Sequence, residues 1–499
     1  MPTPHDTNLV ETKQVLRRTD VWTFAAAAAL AVFYFATSLY IASHRLFWFD
    51  EIFTVRVAWL PHWTTIWTAL AHAVDAQPPF YDMVVRLFGG LFGHGEVAAR
   101  LPSALAIAAG LLLTFDCSRR LTDGFHGLIA LSVLTCSFLP YYGYEARPYA
   151  LAFMFSALAF WIWCTQNDSK WSAVFFGAAL CLAVMMHYYA VLNVVPYVVW
   201  EISTWRPRWR PSPKLIAGLL GVALPAALLS PLATAATRQF SRGFWSFPSV
   251  YGLRAVFSEL FPDSLLLLVL IVIWVGLTRH AGTKTSVEEM QPAESLGWFF
   301  LCIPLAGFVV AELKTNAFVA RYFIGALPGV AVAFSCWSWR HFHKTYRISA
   351  GIFLLLVAWG AAQQWKAIRH PESIDPTGER FQQKAINYLR LEGALHSDGK
   401  PFSVFSEPLI FLTAQYYSKD QCILLMPSSF AAARHASFRA LQSLSNYYPM
   451  QFAPPFELGE HAHETALIQP TREVLDTLKK ADFSLEVRFS EPPEVVYLK

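Results

Sequence analysis

Apolar runs long enough to cross a bilayer recur between residues 21 and 366. A membrane span needs about 20 predominantly apolar residues. The first run, Val21 to Ile41, contains no charged residue at all. Ten further windows follow, at about 98–117, 125–141, 149–165, 171–187, 188–202, 214–233, 264–278, 296–312, 322–338 and 348–366. Each must be a helix, because hydrocarbon satisfies no backbone donor or acceptor. The fifth and sixth of the eleven windows are short and also read as one tilted segment.

Composition agrees. Of 499 residues, 55% are hydrophobic and 15% charged, where soluble domains carry roughly 25% charged. A formal net charge of +4 gives no reason to expect a nucleic-acid partner. Membrane lipids are the expected surroundings. Six of the seven cysteines lie in or beside apolar windows, and only Cys422 lies beyond them. With no C-x-x-C spacing, they read as small buried hydrophobes.

The stretch from Pro371 to Lys499 differs. It holds 28 of the chain's 74 charged residues, 16 acids and 12 bases. Helices are expected at Arg380 to Leu391 and Thr471 to Lys480. Strands are expected at Phe402 to Phe405, Cys422 to Met426, Phe483 to Phe489 and Val495 to Leu498. The expected organisation is a short tail (1–20), a membrane domain (21–370) and a soluble α/β domain (371–499).

Lys and Arg in short loops set orientation. One set of loops holds Lys13/Arg17/Arg18, Arg119/Arg120, Arg206/Arg208/Arg210/Lys214, Arg279/Lys284 and Arg340/Lys344/Arg347. That set is assigned to the cytoplasm, its bases read as orientation signals without matching acids. An odd number of spans then puts the C-terminal domain outside, in the periplasm of a bacterium. The long first outer loop, 43–97, contains Leu60 to Val74, where Trp63, Ile66, Trp67 and Leu70 fall at helical spacing. That pattern suits a helix lying in the interface.

On this topology the unusual polar residues gather on the outer face. They are Asp50-Glu51, Asp75, Glu145 and Arg147, Tyr149, His187-Tyr188 and Arg321-Tyr322. Charge at membrane depth is costly and tends to mark substrate sites. Each residue also has a structural reading: helix capping for Asp50 and Glu51, a turn for Asp75, an ion pair for Glu145 and Arg147, snorkelling for Arg321.

Five stretches with these residues resemble the family 39 type of membrane glycosyltransferases, of the GT-C fold. They are Phe49-Asp50-Glu51, Asp75-Ala76-Gln77-Pro78-Pro79-Phe80-Tyr81, Glu96-Val97-Ala98-Ala99-Arg100-Leu101-Pro102-Ser103, Tyr144-Glu145-Ala146-Arg147-Pro148-Tyr149-Ala150-Leu151 and His187-Tyr188-Tyr189-Ala190. The family includes protein O-mannosyltransferases and lipid A aminoarabinose transferase. Its bacterial members usually carry a histidine where this chain has Gln77.

The resemblance implies a polyprenyl-phosphate sugar donor and an acceptor hydroxyl, of a lipid, glycan or protein. It implies inversion at the anomeric carbon, at the outer face of a bacterial inner membrane. Asp50, Glu51 and Asp75 are then the catalytic candidates, with Asp50 as base. Glu145, Arg147, Tyr149, His187, Tyr188, Arg321 and Tyr322 are the candidates for binding donor phosphate or substrate, and arginine forks suit phosphate. The cofactor is left undetermined, with Asp50, Asp75 and His187 as candidate ligands of a divalent ion. The competing reading is a transporter or lipid-sugar flippase, whose polar residues would line a midplane cavity.

Overall fold

A computed structural model describes residues 4–166, 168–204, 210–241, 244, 246–262, 270, 290–343, 346–371, 379–400, 402–418, 421–425, 436–453, 464–480, 483–490 and 493–498. Contacts divide them into two compact units, neither contiguous in sequence. The first comprises 1–43, 88–230 and 246–369; the second comprises 44–87, 231–245 and 370–499.

The chain is an integral membrane protein. Among the described residues, six helical segments are long and apolar enough to cross a bilayer: Val21–His44, Glu96–Leu121, Pro213–Phe240, Pro292–Thr315, Ala320–Phe342 and Tyr346–Arg369. Shorter apolar helices span Gly124–Cys136, Tyr149–Thr165 and Lys170–Met186. In chain order the helices used below are α1 (Pro4–His44), α2 (Phe49–Ala58), α3 (Trp63–Ala71), α4 (Pro79–Phe92), α5 (Glu96–Leu121), α6 (Gly124–Cys136), α7 (Tyr149–Thr165), α8 (Lys170–Met186), α9 (Val195–Ser203) and α10 (Pro213–Phe240). The window expected at 264–278 lies almost wholly outside the described residues, as do Arg206, Arg208, Arg279, Lys284 and Lys344.

In the first unit α5 packs against α6 and α7, and α7 against α8. Close approach needs small residues where lipid supplies no hydrophobic drive. Gly177 and Gly221 supply it: a Cβ on Gly221 would lie 2.1 Å from the Gly177 carbonyl oxygen. Later helices α14 (Leu327–Phe342) and α15 (Tyr346–Arg369) join α6 through Ile129, Cys136, Phe342, Ile352 and Leu356. Buried polar side chains tie the same helices. The Ser118 and Ser335 hydroxyls lie 2.7 Å apart, Ser335 donates to the His126 carbonyl at 2.6 Å, and His126 Nε2 meets Ser349 Oγ at 3.3 Å.

One expectation needs correction. The bases assigned to the cytoplasm are not without acids. Asp116 accepts from Arg119 Nη2 and from Arg120 Nε, both at 2.6 Å, and from Trp161 Nε1 at 2.9 Å. Arg340 grips the buried Glu294 through Nη2 at 2.7 Å and Nε at 3.1 Å. Lys214 lies 3.1 Å from Asp168 and donates to the Gln166 carbonyl at 2.7 Å. The sequence pattern counts bases by loop and is blind to acids contributed by helices. A desolvated cation at a helix end needs such a partner.

The second unit holds a six-stranded sheet of order β3-β2-β1-β4-β6-β5. The strands are β1 (Phe402–Phe405), β2 (Gln421–Leu425), β3 (Gln451–Ala453), β4 (Thr465–Ile468), β5 (Leu485–Phe489) and β6 (Val495–Leu498). β1 pairs in parallel with β2 and β4, β2 in parallel with β3, and β6 runs antiparallel to β4 and β5. Alternation along β1 buries both faces. Val404 packs with Leu425, Leu467 and Val496 against Val474 and Leu478 of α19 (Arg472–Lys480). Phe405 meets Tyr388 of α16 (Glu379–Ser397) and Phe411 of α17 (Pro408–Tyr417), with ring centroids 5.0 and 6.1 Å apart. The result is an α/β domain with helices on both faces.

Candidate functional site

The sequence-derived residues fall into two groups, one in each unit. In the first unit the backbone breaks at three places. Pro148, with φ fixed by its ring, precedes α7, so Tyr149 opens that helix. His187 is extended (φ −147°, ψ 129°), which ends α8 and starts the 3₁₀ turn Tyr188–Val194. The short windows 171–187 and 188–202 are therefore not one segment but α8, a 3₁₀ turn and α9 in succession. Arg321 and Tyr322 lie in a second 3₁₀ turn, Ala320–Ala326, just before the Pro-started α14.

These breaks converge. The Tyr149 ring centroid lies 5.2 Å from that of His187 and 6.4 Å from that of Tyr322, the latter pair stacked. His187 lies 4.9 Å from Tyr322, and Tyr189 also lies 4.9 Å from it. The Arg321 guanidinium sits 5.7 Å from the Tyr149 ring centre, within cation–π reach. Arg147 and Arg321 are the cations near the His187 imidazole. Glu145, Arg147, Tyr149 and His187 are buried, while Tyr188, Arg321 and Tyr322 are half-buried. Ser103 Oγ, from the Glu96–Ser103 stretch, donates to the Arg147 carbonyl at 3.3 Å. Two guanidiniums thus belong to this cluster, and that of Arg321 lies over an aromatic ring.

The sequence motif His187–Ala190 includes Tyr189 but gave it no role. Its hydroxyl donates to the Ala317 carbonyl at 2.7 Å and also meets the Thr315 hydroxyl, fixing the ring that lies tilted against Tyr322. Asn316 between them takes a left-handed conformation (φ 52°). Asparagine tolerates that region better than most residues.

In the second unit, Asp50 and Glu51 occupy the first turn of α2. A helix N-terminus favours negative charge there. Their circumstances differ. Glu51 is fully buried and its Oε2 accepts the Trp48 amide at 3.2 Å, closing the helix start. Asp50 is half-buried. Asp75 is 8% exposed, and its Oδ1 accepts the Ala76 amide at 2.7 Å. Ala73, two residues earlier, holds φ at 54°, which costs roughly 1–2 kcal/mol for a residue with a Cβ. Gln77 Nε2 donates to Asp82 Oδ1 at 2.6 Å and to Thr54 Oγ1 at 3.4 Å. Asp82, fully buried in α4, was not singled out from the sequence. Arg86, one turn on, donates to the Ala58 carbonyl at 3.3 Å, the Pro61 carbonyl at 2.9 Å and the Leu60 carbonyl. It thereby closes the C-terminal end of α2.

The candidate metal ligands divide the same way, with Asp50 and Asp75 in one unit and His187 in the other. Among the described residues no group of three or more His, Cys, Asp or Glu side chains is arranged to hold a metal ion. Two histidines of the C-terminal stretch at metal-like spacing, His461 and His463, lie outside the described residues.

The fold has known relatives. The crystal structure of ArnT from Cupriavidus metallidurans in the apo state matches with a TM-score of 0.60 at 12% identity, over 95% of this chain and 97% of that one. The same protein bound to undecaprenyl phosphate matches with a TM-score of 0.54 over the same shares. This is the GT-C fold. Residues 76–233 of this GT-C chain also match the family described as dolichyl-phosphate-mannose-protein mannosyltransferase. That stretch contains the Glu96–Ser103, Tyr144–Leu151 and His187–Ala190 motifs. No protein of curated function matches at the level of sequence.

Proposed function

We propose that this GT-C chain is an inverting glycosyltransferase. It moves a hexosyl or pentosyl group from a polyprenyl-phosphate donor to a hydroxyl acceptor, at the outer face of a bacterial inner membrane. The observation that supports this reading best is the pair of guanidiniums, Arg147 and Arg321, near one buried imidazole, with Arg321 lying over the Tyr149 ring. A lipid phosphate is such a pair's natural ligand. The fold match to a protein whose structure contains undecaprenyl phosphate supports the same donor class.

The chemistry then follows from the residues. Asp50 takes the acceptor proton as the hydroxyl oxygen attacks the anomeric carbon. The bond from that carbon to the phosphate oxygen breaks, and its electron pair leaves on the phosphate. Arg147 and Arg321 stabilise that charge, so no acid is needed on the leaving side. Attack opposite to departure inverts the centre. Asp75, at its turn, is assigned to sugar or acceptor hydroxyls. Glu51 closes the helix that carries Asp50. Tyr149, His187 and Tyr322 form the wall beside the phosphate, with Glu145 and Tyr188 next to them in sequence.

The deciding experiment uses purified wild type and Asp50→Asn in detergent, incubated with radiolabelled polyprenyl-phosphate hexoses and pentoses. Wild type releases lipid phosphate and the variant, equally folded, does not. Release at the wild-type rate by Asp50→Asn overturns the base assignment. No release from any donor by folded wild type points to a transporter or flippase.

A further inference from the structure

The second unit joins the C-terminal domain to the helix that carries Asp50, and the join is specific at both ends of that helix. Before its start, the Phe47 amide donates to the Tyr417 hydroxyl at 2.8 Å, and Gln382 Nε2 donates to the Leu46 carbonyl at 2.9 Å. In its last turn, the Arg56 guanidinium lies between two rings of the C-terminal domain. It is 4.9 Å from the Tyr416 ring centre and 4.5 Å from that of Tyr448. The Tyr448 hydroxyl also donates to the Arg56 carbonyl at 2.6 Å. Tyr416 reaches the other end too, with its ring centroid 5.9 Å from that of Phe47.

Two of these contacts go to backbone atoms immediately before α2, and one goes to a backbone carbonyl near its end. Contacts to backbone at both ends fix a helix along its axis. The cation between two rings fixes its rotation, because Arg56 leaves the helix on one side only. Asp50 is six residues before Arg56, about 9 Å along the axis. Its position is therefore set from both directions by the C-terminal domain.

We propose that Tyr416, Tyr417 and Tyr448 are positioning residues for Asp50, and that the C-terminal domain serves the reaction by holding the base. The proposal rests on the assignment of Asp50 as base. It predicts an effect on turnover and none on donor binding, since the phosphate-binding candidates belong to the other unit. Misplacing a catalytic group by about 1 Å can cost on the order of 100-fold in rate.

The test uses the full chain, with Tyr448→Ala, Tyr448→Phe, Arg56→Ala and Arg56→Lys, assayed for release of lipid phosphate. Tyr448→Ala and Arg56→Ala are expected to lower kcat by about 10- to 100-fold, with KM for the lipid donor unchanged. Tyr448→Phe keeps the ring and Arg56→Lys keeps a cation, so each recovers part of the loss. Hydrogen exchange of the amides in α2 is expected to rise in the alanine variants, while protection elsewhere in the second unit persists. Unchanged kcat in both alanine variants overturns the proposal, as does a rise in donor KM equal to the fall in kcat. If an alanine variant fails to fold, the Tyr448→Phe and Arg56→Lys kinetics decide by the same criterion. Wild-type activity in Asp50→Asn would overturn the base assignment instead, whatever the tyrosine variants do.

Discussion

Gln77 donates through Nε2 to the Asp82 carboxylate at 2.6 Å, and both residues are almost fully buried. The Gln77 amide thereby holds a buried acid at the turn before α4. Gln77→Ala should destabilise the protein by about 1.5–3 kcal/mol, since a buried carboxylate loses a donor. Gln77→His should recover much of that loss. Thermal unfolding of the two variants beside wild type checks both statements. Equal midpoints for wild type and the alanine variant would leave the bond without energetic weight.

How much of this was legible in sequence differs by element. Strands at Phe402–Phe405 and Val495–Leu498 were read with their limits, because continuous apolar runs bounded by turn residues have few alternatives. β3 is three residues long and follows a tyrosine pair, so it gave no pattern to read. α4 was read only as part of a loop, whereas the start of α2 was visible as a capping reading of Asp50 and Glu51, the acids that helix N-termini prefer. The individual site candidates were visible because polar residues stand out in an apolar chain. Their partners were not. Tyr189 and Tyr448 act through contacts 128 and 392 residues away in sequence, which no local pattern encodes, and Asp82 meets Gln77 only because the turn before α4 folds back on that helix.

Arg321 separates donor binding from chemistry. Its guanidinium rests over Tyr149, whose ring lies 5.2 Å from that of His187. Arg321→Ala should raise the apparent KM for a polyprenyl-phosphate sugar by about 10- to 100-fold, the equivalent of one charge-assisted phosphate contact. Arg321→Lys should fall between, because lysine keeps the charge and loses the fork. Initial rates across donor concentrations measure this. An unchanged KM in the alanine variant would move phosphate binding away from Arg321.

The contact of α8 with α10 leaves no room for a side chain. A Cβ on Gly221 would lie 2.1 Å from the Gly177 carbonyl oxygen, and one on Gly177 would lie 2.5 Å from the Ala217 carbonyl oxygen. Both obstacles are backbone, so the helices themselves must part. Gly221→Ala should destabilise by about 1–3 kcal/mol, as overpacking does, and Gly221→Leu should prevent accumulation of folded protein. Gel filtration in detergent with a thermal ramp reads both. Normal yield of Gly221→Leu would show that these helices are not in close contact.

Glu407 connects pH to the domain that holds α2. It is the residue before α17, and α17 packs against α2 within the same unit. Burial pushes its carboxyl above the usual range, and the Leu409 amide and Lys384 only partly offset that. An acid whose folded pKa is raised binds more protons in the folded state than in the unfolded state. Stability must therefore fall as pH rises from the ordinary glutamate range through the raised value. Glu407→Gln keeps an acceptor for the Leu409 amide and removes the titration. The variant should unfold at a higher temperature than wild type at neutral pH, and the two should converge below the ordinary carboxyl range. Unfolding midpoints of the full chain against pH test this. A constant difference between the two proteins at every pH would mean that Glu407 does not titrate differently in the folded state.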